Sequence, residues 1–216
     1  MTKRILEIIW FIITYPFRLL YYLFELFFLI IKLLFIGIFK RQSSKDTTVK
    51  FDIKQVGHLL FPDFKAEFEN YITLYSENKK EFFKKYNEYQ TEDADLTELN
   101  LIQSFGNMKD KLGFIDWKGE ENELEIDEYI EGQVQKGIVW TNSNLLRKSI
   151  SVDKQRDGKF IVKLFQAIDK DLQLINFRLV FLNMGWDAYI FLPVTQQTFD
   201  KIFEFAPNQF ENANEL

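Results

Sequence analysis

The sequence predicts an α+β fold. An N-terminal membrane helix is followed by a soluble domain of about five or six helices packed on a small sheet of at least three strands, including a C-terminal β-hairpin. Residues 5–39 form an apolar stretch with only four charged residues, and the later chain alternates helical spacing with short strand-like runs. The polar segment 42–48 is typical of a linker. The predicted anchor therefore spans residues 1–41 and the domain spans 49–216.

The apolar stretch is predicted to stay on the chain and to cross a membrane once. It is about twice as long as the apolar region of a signal peptide, and it has no small-residue cleavage site. A crossing helix needs about 20 mostly apolar residues, and residues 19–39 supply 16 Leu, Ile or Phe. Pro16 is expected to kink or break the helix. Residues 5–15 are therefore predicted to lie at the membrane interface.

Three charged residues recur every seven positions in this stretch: Arg18, Glu25 and Lys32. This spacing keeps them on one side of a helix, with about 20° of drift per heptad. Charges in lipid usually face a partner or a wet cavity, so one interpretation is a stripe that binds complementary charges on another membrane protein. The other is a single anchor whose long side chains reach the interface. The spacing leaves both interpretations open.

Basic residues on either side of the stretch predict its orientation. Two precede it and five follow it: Lys3 and Arg4, then Lys40, Arg41, Lys45, Lys50 and Lys54. Cytoplasmic flanks carry the excess of Lys and Arg. The predicted location is therefore the inner (cytoplasmic) membrane, with a single crossing and the C-terminal domain in the cytoplasm.

Charge is divided unevenly along the chain. The net charge is −5, and residues 1–41 hold six basic and two acidic side chains, so the remainder carries −9. An acidic domain is repelled by anionic lipid head groups and by nucleic acid. This excludes nucleic-acid binding as a main role. The expected partners are the lipid bilayer and a membrane protein or basic protein.

Six helices and three strands are predicted in the domain. Apolar residues spaced three and four apart predict helices over 63–75, 79–89, 95–112, 120–135, 160–172 and 195–205. Asp95 and Glu98 resemble a capping box, and Gly137 is expected to end the fourth helix. Thr195 is expected to cap the last helix, which Pro207 ends. Apolar runs predict strands over 113–117, 177–182 and 187–192, the last two joined by a hairpin turn.

The sequence carries few groups for catalysis. His58 is the only histidine and there is no cysteine, so a metal site or a His-dependent nucleophile would have to use it. A packed or surface histidine is the expected role. The acidic residues between Glu120 and Glu131 could offer carboxylates to a metal or to acid–base chemistry, but a solvated helix face is the favoured interpretation. No cofactor is predicted.

Two tryptophans mark a candidate interaction surface. Asp116 and Trp117 end the first predicted strand, whereas Trp186 and Asp187 lie in the hairpin turn. Strand ends at one sheet edge are common binding positions, and an exposed tryptophan there would anchor a partner. A tryptophan folded back into the core is the favoured alternative. Trp140 is also expected to be core.

The pattern resembles a family of uncharacterised bacterial α+β domains of unknown function. The resemblance covers residues 95–206: Gly-Phe-Ile-Asp-Trp-Lys at 113–118, an acidic helix, a hairpin whose second strand reads Asp-x-Tyr-x-Phe-Leu-x-Pro from Asp187, and a closing helix. It implies a small α+β domain with no established activity, and it assigns no functional residues.

These observations favour a bacterial, membrane-anchored interaction protein without catalysis. It would be an accessory subunit of a membrane complex or an immunity-type protein that neutralises a toxin, since an acidic surface complements a basic partner such as many nuclease toxins. The alternative is a membrane-tethered enzyme that uses carboxylates, with or without a divalent metal. A metal-dependent change in thermal stability would distinguish the two.

Overall fold

The computed structural model of the protein describes residues 51–86, 96–151 and 155–216. The predicted anchor, its charged stripe and the linker lie outside these ranges. Within them, no helix is both long and apolar enough to span a bilayer. The anchor and its orientation therefore stay predictions.

Eight helices and a four-stranded sheet lie in the described ranges, which confirms the α+β class. The helices are α1 (Ile53–Leu60), α2 (Lys65–Glu77), α3 (Lys79–Lys85), α4 (Glu98–Met108), α5 (Glu125–Val134), α6 (Asn142–Ser149), α7 (Gly158–Gln173) and α8 (Gln196–Phe205). The strands are β1 (Gly113–Asp116), β2 (Phe177–Leu182), β3 (Ala188–Thr195) and β4 (Phe210–Asn212). A 3₁₀ turn, Pro62–Phe64, precedes α2. The prediction of five or six helices is too low, because it lacks α1 and α6.

Both missing helices are short and depend on a carboxylate cap. Asp52 accepts hydrogen bonds from the backbone N–H groups of Lys54 and Gln55, at 3.0 and 3.2 Å, and so begins α1. The polar sequence of α6 has no apolar periodicity, and its first turn is bound by Asp171 of α7. Eight-residue helices are marginal without further contacts. The contact from Asp171 comes from a distant segment and leaves no periodic signal in the sequence, whereas α1 has a local cap and periodic apolar residues at Ile53, Val56 and Leu60, so its sequence does carry a helix signal.

The sheet has the order β1-β3-β2-β4, and every pairing is antiparallel. The β2–β3 hairpin is confirmed, with Val180 opposite Leu192. β1 pairs with β3 on one side, and the C-terminal strand β4 pairs with β2 on the other. β1 and β4 are therefore the two edges of the sheet.

Alternate side chains of the sheet enter two core clusters on opposite faces. The first core cluster takes Val180, Leu182 and Ile190, and it includes residues of α1–α4 and α8. The second takes Leu179, Phe181 and Phe191, and it includes residues of α5 and α7. Because side chains alternate along a strand, β2 and β3 are buried on both faces. This is why they read as continuous apolar runs.

Several predicted helix ends differ from the observed ones. α4 begins after Thr97, whose hydroxyl and the Asn100 side chain form the capping box, rather than at Asp95. α5 begins five residues later than predicted. Glu120 lies in the loop before the helix, where its carboxylate accepts a hydrogen bond from the N–H of Ile126 in the first turn at 3.0 Å. α5 also ends before Gly137. Its last residue is Val134, and the next residue, Gln135, has a left-handed conformation. The cap of α8 by Thr195 is confirmed.

Candidate functional site

The end of β1 and the turn before β3 meet at one corner of the sheet. The N–H of Trp117 donates to the carbonyl of Asp187 over 3.3 Å, and Asp116 lies opposite Ala188 in the ladder. The Asp116 carboxylate accepts a hydrogen bond from the N–H of Lys118 at 2.8 Å, which turns the chain away from the sheet. The four predicted surface residues therefore have adjacent backbones.

Both tryptophans at this corner are exposed, so the core interpretation is wrong for them. The accessible fraction of the surface is 46% for Trp117 and 52% for Trp186. Trp117 follows the last ladder position of β1, whereas Trp186 lies two residues before the first ladder position of β3. Gly185 has φ +66°, which turns Trp186 outward. Trp140 is only partly buried, and its indole N–H donates to Glu131 at 2.6 Å.

The two indoles at the corner have different surroundings. The Trp117 ring packs against the start of α7, where its Cε3 lies 3.3 Å from the position of a Cβ at Gly158. Trp186 instead lines a cleft with Leu99 of α4 and with Met184, and both of those side chains pack on the first core cluster. Adjacent backbones thus present their indoles toward opposite faces of the sheet.

The cleft beside Trp186 has a volume of about 460 Å³. Its walls come from three separate segments: the first turn of α4, the chain between β2 and β3, and the chain before β4. Four carboxamide side chains line it, from Asn100, Asn183, Asn208 and Gln209. The sequence pattern does not reveal these residues, because isolated Asn and Gln in distant segments carry no motif.

A third aromatic side chain is exposed on the edge strand. Phe114 of β1 has 59% of its surface accessible and lies opposite Ile190. Because Ile190 belongs to the first core cluster, Phe114 lies on the face opposite the one on which Trp117 packs, so the β1 edge has one exposed aromatic side chain on each face. Large exposed aromatic residues near a free strand edge are typical of a contact surface.

Comparison with known families decides where the chain belongs. Residues 53–208 match the model of a domain of unknown function, DUF6630. The chain belongs to the DUF6630 family. The match confirms the resemblance to an uncharacterised domain family that the sequence pattern indicated. Comparison with the curated proteins and with the solved structures found no significant match.

Two carboxylates of the acidic run point into the DUF6630 domain and bind Arg147. The guanidinium reaches Asp127 Oδ2 at 2.5 Å and Glu120 Oε1 at 3.1 Å. Side-chain exposure is 5% for Arg147, 5% for Asp127 and 9% for Glu120. The prediction of a solvated face is wrong for these two carboxylates, whereas Glu121 and Glu128 are exposed.

Electrostatics in this buried cluster are unbalanced, with two carboxylates for one guanidinium. Burial raises the pKa of Glu120 and of Asp127, and Arg147 opposes that rise in both. Burial alone would lower the pKa of Arg147, but the hydrogen bond that it donates to Asp127 and the neighbouring negative charges raise it. The cluster joins α6 to α5 and to the loop before α5.

Asp171 completes this part of the DUF6630 domain. Its carboxylate accepts hydrogen bonds from the N–H of Asn142 at 2.9 Å and from the N–H and hydroxyl of Ser143 at 3.0 Å. A carboxylate at a helix N-terminus is stabilising. Asp171 therefore places α6 so that Arg147 reaches its two partners.

Histidine and carboxylates do not converge on a metal site in the part of the chain that the structure describes. His58 of α1 is half-buried, with its side chain 30% exposed and its Nε2 2.9 Å from Glu69 of α2. The contact links two helices of the DUF6630 domain.

Proposed function

We propose that the chain is a bacterial, membrane-anchored interaction protein without catalysis, acting as an accessory subunit of a membrane complex or as an immunity-type protein. Its partner is a membrane protein or a basic protein. It binds through Arg18, Glu25 and Lys32 in the membrane, through the acidic domain, or through both. The domain lies on the cytoplasmic side of the inner membrane.

The observation that carries the proposal is the exposure of Trp117 beside acidic side chains. Exposed tryptophans are enriched among the residues that dominate binding energies. The exposed carboxylates Asp116 and Glu121 flank Trp117 in the chain, together with Lys118, whose Nζ lies 5.6 Å from the centroid of the Trp117 ring. A basic partner would be attracted by this charge and held by the aromatic contacts.

In the competing proposal of a carboxylate enzyme, the best candidate residues are already bound by Arg147. Glu120 and Asp127 are bound to the guanidinium, which occupies the oxygens that a metal would need. Thermal unfolding of the full-length protein with Mg²⁺ or Mn²⁺ tests this. A metal-dependent rise in Tm that Glu121→Gln or Glu128→Gln abolishes would favour the enzyme.

The interaction proposal is tested by purifying the tagged full-length protein in mild detergent and identifying co-eluting proteins by mass spectrometry. Glu25→Leu should release a partner held in the membrane, because it leaves the partner's cation unpaired in lipid. The same substitution should also make insertion cheaper by a few kcal/mol. Glu7→Leu is the matched control, since Glu7 precedes the predicted crossing.

Trp117→Ala tests the domain surface in the same experiment. Partners held by the domain should be lost from this variant at equal membrane abundance, and Leu174→Ala, at another exposed apolar residue, should keep them. If Glu25→Leu and Trp117→Ala both retain every partner of the wild type, the proposal is wrong.

A further inference from the structure

The cleft beside Trp186 does not include Phe114 or Trp117, the exposed aromatic residues of the β1 edge. We propose that it binds an uncharged, polyhydroxylated ligand such as a mono- or disaccharide. This activity goes beyond the proposed function, because it requires no protein partner. The cleft has a volume of about 460 Å³, which lies in the range of small-molecule sites.

Trp186 supplies the flat surface that such a ligand needs. Half of the side chain is accessible, and the turn at Gly185 directs it out of the sheet. The C–H groups of a sugar ring pack against an aromatic face, whose π-electrons attract their partial positive charge. Met184 and Leu99 pack on the first core cluster and give the cleft a fixed floor.

The carboxamides supply polar groups that match hydroxyls. Each carboxamide carries both donors and an acceptor, and a hydroxyl also donates and accepts. Within the described ranges, the side chains of Asn183, Asn208 and Gln209 form no hydrogen bonds, so they are available to a ligand. Asn100 is already oriented, because its Oδ1 accepts from the N–H and hydroxyl of Thr97 at 3.0 and 2.7 Å.

The charge of the lining selects against anionic ligands. Among the described residues, the cleft has one charged side chain, Glu98, and no basic one. A phosphate or carboxylate would lose its hydration without gaining a cation, and it would be repelled by Glu98. A long apolar peptide is also disfavoured, since the cleft offers one indole and mostly amides rather than a deep apolar pocket.

The test is isothermal titration calorimetry of the full-length protein in mild detergent with glucose, N-acetylglucosamine and maltose. At least one of these sugars should bind saturably, with a Kd of roughly 1 mM. Trp186→Ala should weaken binding by about tenfold or more, because the stacking surface is lost. Asn208→Ala, a second variant on the exposed rim, should weaken it by about two- to tenfold.

Leu174→Ala is the control, because it removes an exposed apolar side chain that lies outside the cleft. It should bind the sugar with unchanged Kd, and glucose 6-phosphate should bind the wild type no tighter than glucose does. The proposal is overturned by the absence of saturable binding at roughly 100 mM sugar, by unchanged binding in Trp186→Ala, or by tighter binding of glucose 6-phosphate. Binding of a Gly-Ser peptide instead of the sugars would also overturn it.

Discussion

Replacing Arg147 by Met should destabilise the domain strongly at neutral pH. Met keeps an apolar stem of similar length but removes the guanidinium from Glu120 and Asp127, whose side chains are 9% and 5% exposed. Breaking a buried ion pair by removing one partner costs about 3–5 kcal/mol. The carboxylates can limit this loss by taking up protons. Protonating a carboxylate of ordinary pKa at pH 7 costs about 3–4 kcal/mol. The cost of the broken ion pair and the cost of proton uptake therefore both indicate a loss of about 3–5 kcal/mol in the free energy of unfolding.

The loss should depend on pH in a defined direction. Without Arg147, the pKa values of both buried carboxyls rise further above their values in the unfolded chain. A carboxyl with a raised folded-state pKa contributes stability below its unfolded pKa, and that contribution is lost as pH rises through the folded pKa. The difference between Arg147→Met and the wild type should therefore shrink as the pH is lowered from 7 toward 5.

Urea unfolding of the full-length protein in mild detergent, followed by circular dichroism at both pH values, measures this difference. Lys84→Ala is the control, because it breaks an exposed pair with Glu81 and should change little. A loss below about 1 kcal/mol at pH 7, or one that is equal at both pH values, would refute the electrostatic account of the cluster.

Three further substitutions have definite expected outcomes. Asp171→Ala should cost about 2–3 kcal/mol in urea unfolding, because buried donors at the start of α6 lose a charged acceptor; a loss under about 0.5 kcal/mol would mean that water replaces it. Gly57→Ala should lower the Tm, since its Cβ would lie 1.9 Å from Cε1 of the buried Phe68; an unchanged Tm would show that Phe68 can shift freely. Ser43→Cys should resist a membrane-impermeant thiol reagent in intact cells, and labelling would reverse the predicted orientation.

Elements with a long periodic signal could be predicted from the sequence. α7 carries apolar residues on one face over four turns, and β2 and β3 are continuous apolar runs that the hairpin turn separates, so their positions agree with the structure to within a few residues. An element without apolar periodicity, such as α6, could not be predicted in this way. α6 exists because Asp171, 28 residues from Ser143, binds its first turn, and local periodicity contains no information about that contact.

The candidate site was predictable only in part, and for a related reason. The sequence singles out the strand ends that carry Trp117 and Asp187, and the pairing of β1 with β3 brings them side by side. The direction of each indole depends instead on what lies above each face of the sheet. Gly158 at the start of α7 leaves room for Trp117, whereas α4 and the segment before β4 form the cleft at Trp186. These neighbours come from segments far apart in the chain.

The acidic run shows how composition alone can mislead. Spread around a helix, its seven carboxylates favour a solvated face, but α5 contains only part of the run and Glu120 lies in the loop before it. A single buried cation, Arg147, is enough to bring Glu120 and Asp127 inward. The remaining carboxylates stay outside and keep the domain acidic.

One corner of the sheet thus presents two chemically different surfaces. On the α7 side, Trp117 offers an exposed aromatic patch with Lys118 over its ring and with carboxylates beside it in the chain, which suits a basic protein. On the α4 side, Trp186 and the carboxamides offer a neutral cleft, which suits a small hydroxylated ligand. Because the backbones of Trp117 and Asp187 are hydrogen-bonded to each other, a ligand that moves the turn at Trp186 would also move the aromatic patch. Sugar binding measured with and without the co-purified partner would reveal such coupling, which must be equal in both directions.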